Sequence, residues 1–352
     1  MTEAYLALEG GRVLDARCRV PGRAHGELVF TTAYTGYEES LTDPSYEEQV
    51  LTFAYPLIGN YGVNPERFES SRIHPNGVVA LELTDEISAW LADEDVPAID
   101  HLDTRDLVTE IRDTGAMRCG IAAGDDAVPE DALEELAACA HMSDHVDIGH
   151  QVSIDEPVYH EGDGVCSIFF VDCGAKGSII DSLVERGADV HAYPHDTTAD
   201  DVARLDPDLV FISNGPGDPA NFVAAEALVG DVTGERPIAG ICLGQQIVAR
   251  ALGGSTAKMS FGHRGVNQPV RDVRTDRVVM TTQNHGYMVD DPGPLTVTQV
   301  NVNDDTPEGL EHDEQRIITR QYHPEANPGP HDTFDFFDAV IEAATADGSP
   351  GR

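Results

Sequence analysis

From residue 165 the chain follows a pattern that leaves few folds open: an apolar run, VCSIFFVDCG (165–174), a helical stretch, SIIDSLVERG (178–187), and a second apolar run, ADVHAYP (188–194). The outer runs are short, apolar and bounded by turn residues, and the middle one carries its apolar residues at helical spacing. Two strands joined by a helix lie parallel in one sheet. Further buried strands read at 208–213 (DLVFIS) and 237–241 (PIAGI), each ending in a glycine-rich loop, and runs at 278–282, 295–300 and 316–322 read as the far side of the same sheet. An open α/β sheet binds its ligand at the carboxyl ends of its strands, so chemistry is sought in those loops.

The part before residue 165 has a different rhythm. Its first 40 residues alternate short apolar runs with turn signals such as Glu9-Gly10-Gly11 and Pro21-Gly22, which predicts hairpins. Helices are predicted over 102–113, after a polar cap, and over 129–140. Around 141–164 periodicity disappears and His, Asp and Gly accumulate. The expected organisation is a mixed α and β domain over 1–150, a linker over 151–164 and an α/β domain over 165–346, in keeping with two domains for 352 residues. His141, His145 and His150 with Asp144 and Asp147 match no metal-binding spacing, and no metal site is expected.

Charge narrows the function. The chain has 22 basic and 63 acidic side chains, a net −41, with 30 acids against 9 bases in residues 1–150 and 33 against 13 in the rest. A surface so uniformly negative repels phosphate backbones and anionic lipid, which excludes nucleic-acid and membrane-surface binding. Only two lysines occur, Lys176 and Lys258. Acids in their place point to adaptation to high salt, where screening over a few ångströms removes self-repulsion. No apolar run is long enough to cross a membrane and the N-terminus lacks signal-peptide features. Cys18, Cys119, Cys139, Cys166, Cys173 and Cys242 form no C-x-x-C pair, so free thiols in a reducing cytoplasm are expected.

One cysteine stands out by its surroundings. In Gly240-Ile241-Cys242-Leu243-Gly244-Gln245-Gln246 a buried strand runs into Cys242, and a short helix follows, closed by Gly253 and Gly254. This is a nucleophile elbow with cysteine in place of serine: flanking glycines permit a sharp turn, the helix presents N-terminal amides to the sulfur, and the Leu243 N–H points where an oxyanion would form. His323 follows the strand at 316–322, and in an extended His323-Pro324-Glu325 the Glu325 carboxylate can hold the imidazole. Cysteine, histidine and glutamate together predict thiol acyl transfer through a thioester. The loop Asn214-Gly215-Pro216-Gly217-Asp218 is a tight turn whose two glycines can also bring N–H groups to a substrate. Gln283-Asn284-His285-Gly286-Tyr287 follows another strand and can present polar backbone to a small ligand.

Taken together, G-I-C-L-G-x-Q, N-G-P-G-D, Q-N-H-G and H-P-E resemble the class I glutamine amidotransferases. The segments at 35–64 (TGYEESLTDPSYEEQVLTFAYPLIGNYGVN), 261–270 (FGHRGVNQPV) and 323–332 (HPEANPGPHD) narrow the resemblance to the small, glutamine-hydrolysing subunit of carbamoyl-phosphate synthase, over nearly the whole chain. The resemblance implies an N-terminal domain that contacts a partner, followed by an amidotransferase domain with an open, mostly parallel sheet. It implies Cys242 as nucleophile, His323 as base and Glu325 as its partner, with L-glutamine held by Ser45, Gly215, Gly217, Leu243, Gln246, Asn284, Gly286 and Tyr287. It further implies a heterodimer with a large subunit that uses ATP and Mg, the small chain carrying no cofactor, in a cytoplasmic complex serving pyrimidine and arginine synthesis. Gln245 stands where the family often has His, and Tyr287 where Phe is usual.

No G-x-x-x-x-G-K-[ST] phosphate loop occurs, and Cys173-Gly174-Ala175-Lys176-Gly177-Ser178 lacks its spacing, so ATP chemistry is expected elsewhere. Three alternatives remain: the glutaminase component of anthranilate or GMP synthesis, against which the domain at 1–150 argues; a silent scaffold, against which the intact Cys242, His323 and Glu325 argue; and a free γ-glutamyl hydrolase, which would need no partner.

Overall fold

The computed structural model describes residues 3–346. The chain forms two compact units, Met1–His145 with Met259–Gly265, and Val146–Lys258 with Val266–Arg352.

In the first unit seven strands close into a barrel: β1 (Glu3–Leu8), β2 (Val13–Val20), β3 (Gly22–Thr31), β4 (Gln49–Phe53), β5 (Gly77–Val79), β6 (Ala98–Asp100) and β7 (Met117–Ala123), in the order β1-β2-β6-β5-β4-β3-β7. Side chains alternate between two cores, as the two-residue strand period requires. Leu28, Val50 and Val79 join Leu6, Ile99 and Ile121, while Val29, Leu51 and Val78 pack with Leu41, Ile87 and Leu91 of the helices Tyr37–Thr42 and Asp85–Asp93. The turn at Glu9-Gly10-Gly11 makes the expected hairpin of β1 with β2, but Pro21-Gly22 does not make a second one. β3 pairs instead with β7, antiparallel, and with β4, parallel. The helix expected over 102–113 spans Thr104–Thr114, capped by Asp103 accepting from the Asp106 N–H at 3.0 Å. The helix expected over 129–140 spans Pro129–Ala138.

The second unit is built on a ten-stranded sheet. Its strands are β8 (Val158–His160), β9 (Cys166–Asp172), β10 (Ala188–Pro194), β11 (Leu209–Ile212), β12 (Ile238–Ile241), β13 (Ser255–Asp272), β14 (Val278–Asp291), β15 (Thr296–Asn301), β16 (Pro307–His312) and β17 (Ile317–Arg320), ordered β8-β10-β9-β11-β12-β17-β16-β15-β13-β14. The core strands β10, β9, β11, β12 and β17 are parallel to one another. β8 and the pairings β17–β16, β16–β15 and β15–β13 are antiparallel. One face packs Ile168, Phe170, Phe211 and Ile241 against Ile179 and Leu183 of the helix Gly177–Val184 and Phe337 and Val340 of the helix Asp335–Thr345. The helix Leu243–Ala251 packs on β11 and β12 and against the helix Val223–Val232. Strands covered on both faces read as unbroken apolar runs, which is why VCSIFFVD and DLVFIS were legible.

Residues 151–164, expected as a linker, are part of this unit. Ser153 donates to the Asp172 carbonyl at 2.6 Å, the Ile154 N–H donates to the Asp172 carboxylate at 3.0 Å, and β8 adds an edge strand to β10. Val158 and Tyr159 are exposed, and a three-residue edge strand half in solvent carries no apolar alternation to read. No helix among the described residues is long and apolar enough to cross a membrane.

Candidate active site

The chain turns sharply where β12 meets the helix Leu243–Ala251. Cys242 sits at the corner with φ 55° and ψ −104°, a conformation costly for any side chain-bearing residue and held here by its surroundings. Those surroundings demand glycine. A Cβ on Gly244 would lie 2.2 Å from the Ile212 carbonyl oxygen, and one on Gly215 would lie 2.1 Å from the Cys173 carbonyl oxygen. The helix can therefore close onto the end of β11, and the N-G-P-G loop can lie against the neighbouring turn and Leu243. Gly254 N donates to Ala249 O at 2.9 Å and Gly253 takes φ +89°, ending the helix as expected.

His323 is 1% exposed and reaches the same corner by a different route from that expected. β17 stops at Arg320, and His323 instead bridges to Thr282 of β14, its N–H donating to the Thr282 carbonyl at 2.8 Å. Its Nδ1 lies 2.6 Å from Glu325 Oε1, so that nitrogen carries the proton and Nε2 makes no hydrogen bond. Burial drives the imidazole toward its neutral form, but the Glu325 carboxylate and the Cys242 thiol beside it outweigh burial and raise its pKa. The Cys242 thiol donates to the Asn284 carbonyl at 3.6 Å. The other five thiols are all pushed up by burial, Cys119 and Cys173 furthest, and stay protonated.

Glu325 is fully buried, and sequence reasoning missed its second partner. Lys176, 3% exposed, donates to Glu325 Oε1 at 3.0 Å, to Ala326 O at 2.9 Å and to Asn327 O at 2.8 Å. Burial raises the carboxyl pKa, yet Lys176 first and His323 second hold it well below the usual carboxylate range. Lys176 stands in the segment 173–178, set aside for lacking phosphate-loop spacing. Its scarcity was the available signal, because it is one of two lysines in the chain.

Of the remaining residues singled out from sequence, Asn284 is tied to Cys242, and Tyr287 is tied to Gln246 of the helix that follows Cys242. Gln246 donates to the Tyr287 carbonyl at 2.8 Å, Gly217 takes φ +85°, and Asn284, Gly286 and Tyr287 lie within β14 rather than after a strand as expected. A strand of 14 residues that runs on through polar positions conceals its own end from a reading based on apolar runs. Gln245 turns into the core, donating to Pro307 O and accepting from Thr319. Ser45 belongs to the first unit, buried in the turn Pro44–Tyr46, where its N–H donates to Asp43 at 2.9 Å. The histidines around 141–150 divide between the units: His145 lies 3.5 Å from Glu48, and His150 stacks edge-on against His195. All six cysteines are free.

Residues 169–343 match the glutamine amidotransferase class-I family, and residues 6–121 match the CPSase domain of the carbamoyl-phosphate synthase small chain. The chain is 66% identical over 350 residues to a carbamoyl phosphate synthase small chain of Halobacterium salinarum, covering 99% of both. It is 44% identical to that of Archaeoglobus fulgidus, over 97% of this chain and 98% of the relative, and 42% identical to that of Methanocaldococcus jannaschii, over 97% and 98%. With both domains matched in order and the likeness running the full length, the chain belongs to the carbamoyl-phosphate synthase small-chain family.

Proposed function

We propose that this chain hydrolyses L-glutamine to glutamate and ammonia and passes the ammonia to a large ATP- and Mg-dependent subunit that makes carbamoyl phosphate from bicarbonate, in the cytoplasm, for pyrimidine and arginine synthesis. The observation that carries the reading is the buried line Cys242, His323, Glu325, Lys176 at the end of β12. The match of residues 6–121 favours this reading over the glutaminase component of anthranilate or GMP synthesis.

In this mechanism Cys242 is the nucleophile. With its proton on His323, the sulfur attacks the carboxamide carbon of glutamine, and the developing oxyanion meets the Leu243 N–H and an N–H of the Gly215–Gly217 loop. The C–N bond then breaks as His323 returns the proton to the departing nitrogen, releasing ammonia and leaving a thioester. His323 next takes a proton from water, whose oxygen adds to the thioester carbon, and cleavage of the C–S bond frees glutamate and restores the thiol. Glu325 remains a carboxylate throughout, fixing the imidazole and stabilising its charged form. Gly215, Gly217, Leu243, Gln246, Asn284, Gly286 and Tyr287 hold the amino acid.

The test is paired. In the complex with the large subunit, Cys242→Ala is expected to lower glutamine-dependent carbamoyl phosphate formation by several orders of magnitude, while formation from ammonium at a pH that supplies free ammonia continues. Loss of both would make Cys242 structural or place this chain in the ATP-dependent steps. Retention of the glutamine reaction would remove the nucleophile assignment.

A further inference from the structure

Gln321 is fully buried one residue beyond β17, with its backbone N–H donating to Glu308 O at 2.9 Å. Its side chain has a single partner: Oε1 accepts from Gln246 Nε2 at 3.1 Å, and the Gln321 Nε2 is left without one. Gln246 Nε2 also donates to the Tyr287 carbonyl at 2.8 Å. A primary amide has two N–H donors, and both of these are used. The direction is not reversible, because the Tyr287 carbonyl can only accept and so forces nitrogen onto that side of Gln246. Among the described residues no donor is bonded to Gln246 Oε1. What Gln246 has left to offer is therefore a carbonyl oxygen, an acceptor, on a residue next to the Cys242 corner.

We infer that Gln321 is a specificity-determining positioning residue: by taking the second amide proton of Gln246 it locks that side chain with its oxygen free, so that the site selects an amino-acid substrate by its α-ammonium group. The inference rests on the proposed glutamine reaction. Without Gln321, Gln246 is held by the single hydrogen bond to Tyr287 and can swing about it, so that its oxygen is no longer fixed where the ammonium must meet it. A site built around a hydrogen bond discriminates against a ligand lacking the matching group far more sharply than an apolar one does.

The experiment compares L-glutamine with glutaramate, the same molecule without its α-ammonium, as substrate and as competitive inhibitor, using the complex with the large subunit. In wild type, L-glutamine is expected to be preferred, and in Gln321→Met the ratio of kcat/KM values, and of KM for glutamine to Ki for glutaramate, is expected to shift toward glutaramate about tenfold. A purely structural role would lower both together and leave the ratio unchanged. Gln321→Glu keeps an oxygen acceptor facing Gln246 and is expected to hold the ratio within about twofold of wild type. An unchanged ratio in Gln321→Met, an equal loss in Gln321→Glu, or no preference in wild type overturns the inference. No glutamine turnover by the wild-type complex would instead be a failure of the proposed function, and the inference would fall with it.

Discussion

At the residue scale, Lys176 is the most consequential side chain that local pattern did not reveal. A buried ammonium is tolerated only when its protons are met, and all three are, by Glu325 and by the two carbonyls that follow it. The folded pKa of Glu325, about 2, lies below the ordinary 4.5, so the pair contributes stability above about pH 4.5 that is lost as pH falls toward 2. Lys176→Met removes the largest charge holding the carboxyl down and leaves it unmatched. It is expected to cost about 3–5 kcal/mol near neutral pH, with the gap to wild type closing as pH falls through that window. Denaturant midpoints measured in molar KCl at a series of pH values check this. A gap that is absent at pH 7, or constant with pH, would contradict it. Cys242, His323 and Glu325 were legible because reactive residue types stood beside glycines and a proline at strand ends. Lys176 and Gln321 were not, because each acts through a partner 149 and 75 positions away.

At the scale of elements, the strand–turn–helix corner depends on backbone approach rather than on any attractive contact. Gly244→Ala would push a methyl into the Ile212 and Ser213 carbonyls, which are backbone and cannot step aside. The helix Val223–Val232 of the same unit offers the opposite case, since a Cβ on Gly230 meets nothing within 4 Å. Gly244→Ala is expected to destabilise by about 3 kcal/mol or more and to lower glutaminase activity. Gly230→Ala is expected to stabilise by roughly 0.5–1 kcal/mol, through the lower entropy of the unfolded chain and better helix propensity. Equal midpoints for the two variants in urea would refute the packing account. Elements with a strong local period were read correctly to within a few residues, as for the helices at 104–114 and 129–138. Among the barrel strands only the β1–β2 hairpin was assigned its true partner, because β3 finds β4 and β7 across loops that carry no pairing signal.

At the scale of the whole molecule, charge dominates. The excess of acids is spread over both halves of the chain, and arginines that pair, such as Arg118 with Glu9 or Arg274 with Glu311, leave most acids unmatched. At molar salt the Debye length is about 3 Å, against about 30 Å at 10 mM, so dialysis to low salt turns on repulsion across the whole surface. The melting temperature in 2 M KCl is expected to exceed that in 10 mM KCl by about 10 °C or more. An equal or higher value at low salt would remove the reading of salt adaptation. The buried ions at the candidate active site lie outside this balance, because solvent ions do not screen them.

The sequence by itself determined the parallel sheet, the cysteine corner and the charge of the surface, since each is written in neighbouring residues: apolar period, glycine spacing, the tally of acids. Tertiary structure alone decided the barrel's closure, the incorporation of residues 151–164 as a sheet edge, and the arrival of His323 beside Cys242 by way of Thr282. It alone brought Lys176 under Glu325 and Gln321 against Gln246. Contacts of that kind are set by where packed elements carry residues distant in the chain. A buried polar group must find a partner, but nothing in the residues around it names which one.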